Sequence, residues 1–594
     1  MIKNILMFLC FIIAEEHSPL PSDLIMLKGY KLTLLAVFLM FPMVLSAADV
    51  QYNHPVYNFL ERCELQGITA NSLSQSKPYS RLTISKYLVQ IYNNQDKLSH
   101  VEKGLLERYV FEFSDDIQRF SPGFSSDNPY SPEWRNIRNR GGLQKYGLLQ
   151  NRRDIATYEG KDYKVFANVT GGFDYTSKPF NHNSTESGTQ LVRSYGFSAR
   201  AWYKRMDFAG WTTENQVSGN EAFIDGNRFP YRFGEGDSDQ FDFYETETSV
   251  SYQDDYFVVY FGKGENFWGG SPESSLTLSD KGIPYTHFRI KGTLGPLEMT
   301  IIHGFIVAEP PIVEGVDSLL YATKKHYADK YFAAHRIQWN LRNNLQFGMY
   351  EEVFYGQRGM EWEYAPPILF FRGAEHYLRS QDNMLIGLDI RWLPVKNISF
   401  YGGFILDELV ASNFGTSSYT NKQGAIASMA CVNPLGYNDS RFFAEYVALR
   451  PYIYSHKFPI SRADHYGITL ANPGIPNSRK ITLGLDNFIL PSLMITMKLQ
   501  QFKHGANLQD GTNVGGDHMI SYNEQGLKHV KFLGGDVHTW NRAGLEVNWD
   551  IVYDLRFRFS GYMTEYSIDY ESGDTGFDDI GFEWWMSLIW HPVH

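Results

Sequence analysis

Three kinds of residue group in this chain have side chains suited to chemistry. Carboxylates crowd together at Glu351-Glu352 and Asp407-Glu408, and Glu445 stands beside Tyr446. Two carboxylates facing each other across a cleft hydrolyse glycosides, but only at defined separations, which adjacency in sequence does not set. The stretch "FGKGENFWGG" puts glycines near Lys263 but lacks the Gly-x4-Gly-Lys-Ser/Thr order and following helix of a phosphate loop. The acidic "DYESGDTGFDD" (569–579) carries oxygens of the kind calcium takes, without EF-hand spacing, and reads as a solvated loop. The 17 His are scattered, with no His-Glu-x-x-His and no Gly-x-Ser-x-Gly elbow. No catalytic residue, metal or cofactor is expected.

The elements that would position these groups are strands. Aromatics make up 16% of the 594 residues, with 39 Tyr, 42 Phe and 12 Trp, and Gly reaches 51. Mean hydropathy is nevertheless negative, at −0.33. Membrane β-barrels combine these properties because apolar and polar positions alternate and cancel in a window average. A net charge of −12 argues against nucleic acid as a partner. No segment after the N-terminal region supplies the run of about 18 apolar residues that a membrane helix needs.

Near the N-terminus, "LTLLAVFLMFPMVLSAA" follows Lys28 and Lys31 and ends in the small residues Ser46-Ala47-Ala48. This is the pattern of a secretory signal over 26–48, cleaved after Ala48. Residues 1–25 then read as a start-site artefact upstream of Met26, with a tandem signal as the alternative. Cys10 lies there, leaving Cys63 and Cys431, which form no disulfide framework. Residues 49–125 carry helical periodicity: Val56, Phe59, Leu60 and Cys63 share one face, and Ser99 and Glu102 stand in capping-box spacing. Val101, Leu105, Tyr109 and Phe113 form another stripe. The Pro-, Asn- and Arg-bearing stretch 126–159 reads as a linker.

From 160 to 594 the period changes to two. Val165, Ala167, Val169, Gly171, Phe173 and Tyr175 alternate with Asn168, Thr170, Gly172 and Asp174. Met384, Ile386, Leu388, Ile390 and Trp392 line one side of a hairpin turning at Pro394–Asn397, and another hairpin turns at Asn343-Asn344. Leu555, Phe557 and Phe559 alternate with Arg556 and Arg558, and the last strand shows Phe582, Trp584, Met586, Leu588 and Trp590 at every second position, before the overhang His591–His594. A soluble sandwich would bury those aromatics and wet the arginines. A membrane barrel puts the aromatics in lipid and the arginines in a polar lumen, and the signal and number of such segments favour it. The carboxylates then become lumen charge, balanced by arginines such as Arg336, Arg391 and Arg450.

Two stretches resemble the Wzi family of outer-membrane capsule-assembly proteins. "HPVYNFLERCELQGI…KPYSRLTISKYL" (54–88) is similar to the family's helical opening. "GENFWGGSPESSLTLSDKGIP" is similar to its Trp-Gly…Ser-Leu-x-Leu-Ser…Pro signature, through Trp268-Gly269, Ser275 to Ser279 and Pro284. "DNMLIGLDIRWLP" (382–394) and "FFAEYVALRPYIYSH" (442–456) add weaker matches in order. The resemblance implies an all-β transmembrane fold, a large antiparallel outer-membrane barrel of about eighteen strands with the small helical module at its periplasmic end. It also implies a lectin that retains capsular or exopolysaccharide at the cell surface, without an enzymatic step.

The Trp268 loop is expected to be structural, with Trp-Gly making a tight strand exit and Pro284 re-entering the next strand. Trp268 and Tyr285 are the candidates for direct carbohydrate contact, and the long loops at 412–422 and 569–579 are candidate locations for a site. The expected partners are the polysaccharide and outer-membrane lipid, with the protein a monomer. A diffusion porin and a barrel hydrolase are the rival readings.

Overall fold

The computed structural model describes residues 49–590, apart from 70–72, 125–153, 179–187, 220–239, 310–311, 318–321, 367–369, 381, 410, 414, 553–554 and 575. The expected signal, most of the linker and the His591–His594 overhang lie outside the described residues.

Eighteen antiparallel strands close into one barrel. In chain order they are β1 (Tyr163–Lys178), β2 (Gly188–Tyr203), β3 (Met206–Gly219), β4 (Gln240–Gln253), β5 (Phe257–Gly264) and β6 (Tyr285–Leu294). Then come β7 (Leu297–Val307), β8 (Asp329–Arg342), β9 (Leu345–Gly356), β10 (Asn383–Val395), β11 (Ile398–Leu409) and β12 (Asn421–Val432). The last six are β13 (Ser440–Leu449), β14 (Ser478–Leu490), β15 (Leu493–Ala506), β16 (Asp536–Val552), β17 (Leu555–Asp569) and β18 (Phe577–Trp590). Each strand pairs with its sequence neighbour, and β18 closes on β1 between Trp584–Trp590 and Ser177–Gly171. Ala156–Glu159 continues this edge beside Ala167–Lys164.

The register confirms the period-two pattern. Arg558 pairs with Ser587 and Phe559 with Met586, so one set faces inward and the other outward. Phe582, Met563 and Trp549 are exposed on the outside, whereas Arg556 is buried inside. The β8–β9 hairpin turns at Asn343-Asn344 as expected. The β10–β11 turn is tighter than expected: Val395 pairs with Ile398, and Asn397 takes a φ of +69°. Asn tolerates that left-handed geometry because its side chain is short and polar. These short turns lie at one mouth, and the long connections lie at the other.

The N-terminal helices α1 (Val56–Leu65), α2 (Arg81–Tyr92), α3 (His100–Glu112) and α4 (Ser114–Phe120) share a core of Val56, Phe59, Leu60, Cys63, Leu105 and Tyr109. Ser99 and Glu102 form the capping box expected at the start of α3. Cys63 is buried in this core, Cys431 faces outward on β12, and both are free thiols. The module sits in the short-turn mouth and is tied to the wall by charge. Arg391 holds Glu64 through two bonds of 2.9 and 2.7 Å, Arg441 reaches Glu61 at 2.9 Å, and Asp550 lies between Arg108 and Arg556.

One sector departs from the outward-apolar rule. His303, His335, Glu351 and Tyr355 point outward from β7, β8 and β9, yet are buried. Tyr364 and helix α5 (Phe371–Leu378) cover them as a flap: Glu351 accepts the Phe371 N–H at 3.0 Å, and the Phe371 ring lies 4.2 Å from that of His335. The flap keeps Tyr377 80% exposed on its own outer side.

The ion pairs set an acid limit. Burial alone would raise the carboxyls of Glu61, Glu273 and Asp464, but the cations around each, led by Arg441, Lys498 and Lys330 respectively, together outweigh it and hold all three below the ordinary range. A carboxyl depressed on folding contributes stability above its unfolded pKa, about 4, and that contribution is lost as pH falls through the folded value. The part of the melting temperature in detergent owed to these pairs should therefore hold steady from pH 7 to about pH 5 and fall below about pH 4. A separate loss starts at about pH 6.5, as buried neutral histidines such as His465 resist the proton that the unfolded chain takes up. Glu61→Gln should lower the plateau and flatten the fall. A melting temperature unchanged down to pH 3 would contradict the ion-pair account.

Candidate functional site

The loop that carries Trp268 turns into the lumen. Phe267 and Trp268 pair with Lys77 and Ser76 as a two-residue ribbon, so chain from the short-turn end meets chain from the long-loop end inside the barrel. Gly269, at φ +122°, donates its N–H to the Gln75 carbonyl at 2.9 Å. A Cβ on Gly269 would stand 2.8 Å from the Tyr401 hydroxyl, and one on Gly270 2.7 Å from Gln75 Oε1. The two glycines are what let the backbone pass.

Trp268 itself is 2% exposed and packs 6.2 Å from Tyr350, while its carbonyl accepts Ser275 Oγ at 2.7 Å. Tyr285, 3% exposed, begins β6, where its hydroxyl accepts Asn266 Nδ2 at 3.1 Å and its ring meets Phe332 edge-on. Both rings named from the sequence thus lie inside the protein.

A second inward loop, 450–477, is sewn to the first by the reciprocal bonds Ser275 N to Asn472 O and Asn472 N to Ser275 O, both 2.9 Å. Glu445 on β13 takes Ser271 Oγ and the N–H groups of Glu273 and Ser274, so it caps the loop's turn. Lys330 Nζ grips the Asp464 carbonyl at 2.8 Å and its carboxylate at 2.5 Å, with Arg462 on the same carboxylate at 2.9 Å. Burial drives His465 next to it down to about 3, so it is neutral at physiological pH.

The acidic groups do not converge on a reaction centre. Glu352 faces the lumen while Glu351 points out under the flap, because neighbours on a strand take opposite faces. Asp407 accepts the Tyr454 N–H, whereas Glu408 reaches the long-loop rim with its side chain 43% exposed. Arg336 pairs with Asp389 at 2.5 and 3.0 Å, as a lumen arginine should. Arg450 instead donates to the carbonyls of Asn421 and Thr416. At 569–579, Glu571 accepts the Gly535 N–H and gives its own N–H to Asp536, which commits that carboxylate to holding the loop. Among the described residues, no group of three or more His, Cys, Asp and Glu could hold a metal ion.

What the long-loop end does present is an aromatic rim. The half-buried rings of Tyr419 and Tyr522 pack on Tyr452, Val514 and Val530 and stand 4.6 Å apart at 37°. Backbone bonds Tyr419 N to Lys528 O (3.0 Å) and Val530 N to Ser417 O (2.8 Å) join the 412–422 stretch to the 507–535 loop and hold the pair in place. Lys422 Nζ lies 5.6 Å from the Tyr522 ring and 3.1 Å from Glu408. Tyr faces beside a carboxylate, with the exposed Asn523 and Gln525 nearby in sequence, are suited to stacking on sugar rings and bonding hydroxyls. The 412–422 stretch pointed here, but Tyr522 is 103 positions from Tyr419 and gave no local signal.

The inward residues divide the lumen in two. From β6 to β13 they are almost all buried against the plug, among them His287, Ile302, Phe332, Arg336, Asp389 and Lys422. From β15 to β18 and on β1 most stay half-exposed, including Gln500, Arg542, Tyr562, Glu583, Trp585 and Asp174.

A closed eighteen-strand barrel with apolar strands outside and a plugged polar lumen defines the class as a β-barrel of the outer-membrane kind. Among solved structures the chain is similar to Wzi, an outer-membrane protein involved in group 1 capsule assembly in Escherichia coli and described as a carbohydrate-binding β-barrel. The TM-score is 0.54 at 13% identity, over 92% of this chain and 100% of that one. Fainter likeness extends to OprD of Pseudomonas aeruginosa (TM-score 0.36, 10% identity, 71% of this chain and 94% of that one). OccAB1 of Acinetobacter baumannii is at a similar distance (0.39, 11%, 72% and 96%). No protein-family profile matches the chain, and no curated protein matches it in sequence. The Wzi likeness establishes the fold; the two fainter ones add nothing to it.

Removing the ring at the centre of the plug tests how the lumen is held. Trp268→Ala should cost about 3–5 kcal/mol, the usual range for a buried aromatic. Digestion of the folded barrel should show faster tryptic cleavage at Lys281. An unchanged digestion pattern would mean that the ribbon with Ser76–Lys77 holds the loop without Trp268.

Proposed function

We propose that this chain is a Wzi-like outer-membrane protein that binds and retains capsular or exopolysaccharide at the cell surface without catalysis. The observation that carries the reading is the lumen filled from both ends, which makes the barrel a rigid platform for its long loops. The rim of Tyr419, Tyr522 and Glu408 supports it, as does the resemblance of residues 54–88 and 264–284 to the Wzi family. In this reading the short turns and residues 49–125 face the periplasm, because even-stranded barrels keep their termini there. Residues 26–48 are the signal, 126–159 the linker and 160–594 the barrel. A polysaccharide end would reach Trp268 or Tyr285 only by threading into the plug, so the rim is the first contact.

One observation favours a second reading: the half-exposed wall from β15 to β1 has the polar lining of a diffusion channel. Conductance separates the two. Purified protein should retain cell-surface polysaccharide, leave its chain length unchanged and pass little current in planar bilayers. Tyr522→Ala should weaken retention by about 1–3 kcal/mol, the range for one stacking residue. Shortened chains would make the protein a hydrolase. Absent retention with steady conductance would make it a channel.

A further inference from the structure

Between the plug and the half-exposed wall lies a cavity of about 600 Å³. Its floor comes from the helical module and the segment before it, its side from Pro272, Glu273, Asp280 and Lys281, and its wall from β13 to β18. Most charges that line it are matched. Arg441 pairs with Asp486 at 2.7 Å and with Glu61, Lys498 bridges Glu273 and Glu546 at 2.5 and 2.8 Å, and Asp550 serves Arg108 and Arg556.

Two cations are left over among the described residues. Arg558 has no carboxylate within ion-pair distance, and its Nε is buried without a hydrogen-bond acceptor. Lys77 also has no carboxylate partner; its Nζ lies 4.6 Å from the Tyr52 ring and 5.4 Å from that of Phe267. Burial pushes the Lys77 ammonium down to about 8, although Glu61 and Glu64 lie close enough to offset part of the effect.

The orphaned hydrogen-bonding groups are donors as well. Arg556 is 3% exposed, and its Nη1 is without an acceptor, as is the Trp585 indole Nε1. Buried donors without acceptors are costly, and unpaired buried charge more so. The same lining offers neutral amides and hydroxyls from Asn58, Asn472, Asn548 and Ser560, together with the aromatic faces of Tyr52 and Trp585.

We propose that this cavity is a binding site for an anionic saccharide, two or three rings long, that carries one carboxylate to Arg558 and another to Lys77. The volume is in the range of small-ligand sites. Arg558 supplies a planar fork suited to a carboxylate, and the ring faces and amides suit a sugar better than a bare inorganic anion. The half-exposed residues above the cavity on β15 to β18 leave a wet route along the wall. The site is separate from the rim, and it stands or falls independently of polysaccharide retention there.

Titration calorimetry of the full chain in detergent, with digalacturonate, cellobiose and inorganic phosphate as probes, tests the proposal. Digalacturonate should bind at least tenfold more tightly than cellobiose or phosphate. Arg558→Gln and Lys77→Gln should each weaken it tenfold or more, and Arg558→Lys should restore part of the loss. Retention of polysaccharide and the heat-modified gel mobility of the barrel should stay as in the parent. Lys77→Gln and Arg558→Lys carry the test if Arg558→Gln does not fold. Equal affinity for digalacturonate and cellobiose, binding unchanged in folded Arg558→Gln or Lys77→Gln, or no binding at millimolar probe would overturn the site. Phosphate binding as tight as digalacturonate would overturn the saccharide assignment.

Discussion

A barrel that shows lipid its apolar side chains must send the polar ones inward, and where the plug packs against the wall there is little water to screen them. A carboxylate carried inside therefore needs N–H and O–H donors, as Glu445 has, or a cation from another part of the chain. In this protein the partners come from far apart in sequence: Asp49 with Arg289, Glu64 with Arg391, Glu61 with Arg441, Glu273 with Lys498 and Asp464 with Lys330. Such pairs add little net stability over apolar packing, but breaking one leaves a bare buried charge, at about 3–5 kcal/mol. Their main effect is to make a single seating of module and loops far better than any shifted one. The position of the rim follows from that seating, because the loop that bears Tyr419 continues from β11 and β12, whose inner faces the plug has fixed, and it holds the Tyr522 loop through the Tyr419 and Val530 backbone bonds.

The wall was legible in the sequence because strand geometry is local. Inward Arg556 and Arg558 and outward Phe557 and Phe559 follow from a period of two, whatever the rest of the chain does. The helical stripe and the Ser99–Glu102 box were legible for the same reason. The plug was not. Nothing around Glu445 reveals that it caps a turn 171–174 residues earlier, and nothing around Lys77 reveals that it pairs beside Phe267. The rim was half legible: the polar stretch at 412–422 was visible, and its partner loop was not. The flap did leave a trace that the pattern reading passed over. His303, His335 and Glu351 occupy outward positions where lipid would demand apolar side chains, and three such exceptions on adjacent strands mark a covered patch.

The same logic explains the residue types of the Trp268 segment. Its glycines relieve crowding against Tyr401 and Gln75, its serines bond to Glu445 and to the Trp268 carbonyl, and its tryptophan fills space beside Tyr350. Spacing of this kind is dictated by a fit between two chain segments inside a tube. It resembles the spacing of a catalytic loop because both need small residues where backbones approach closely.

The seam between β18 and β1 lies in the half of the lumen that the plug leaves uncovered. A stuffed cylinder is hard to load once it is shut, since the contents have no side entrance. With the gap on the unfilled side, helices and inward loops can be laid against β6 to β13 while the sheet is still an open trough. The last edge then zips along the flank that the inward loops leave open, where α4 meets β1 at the mouth through Asp115 and Lys164.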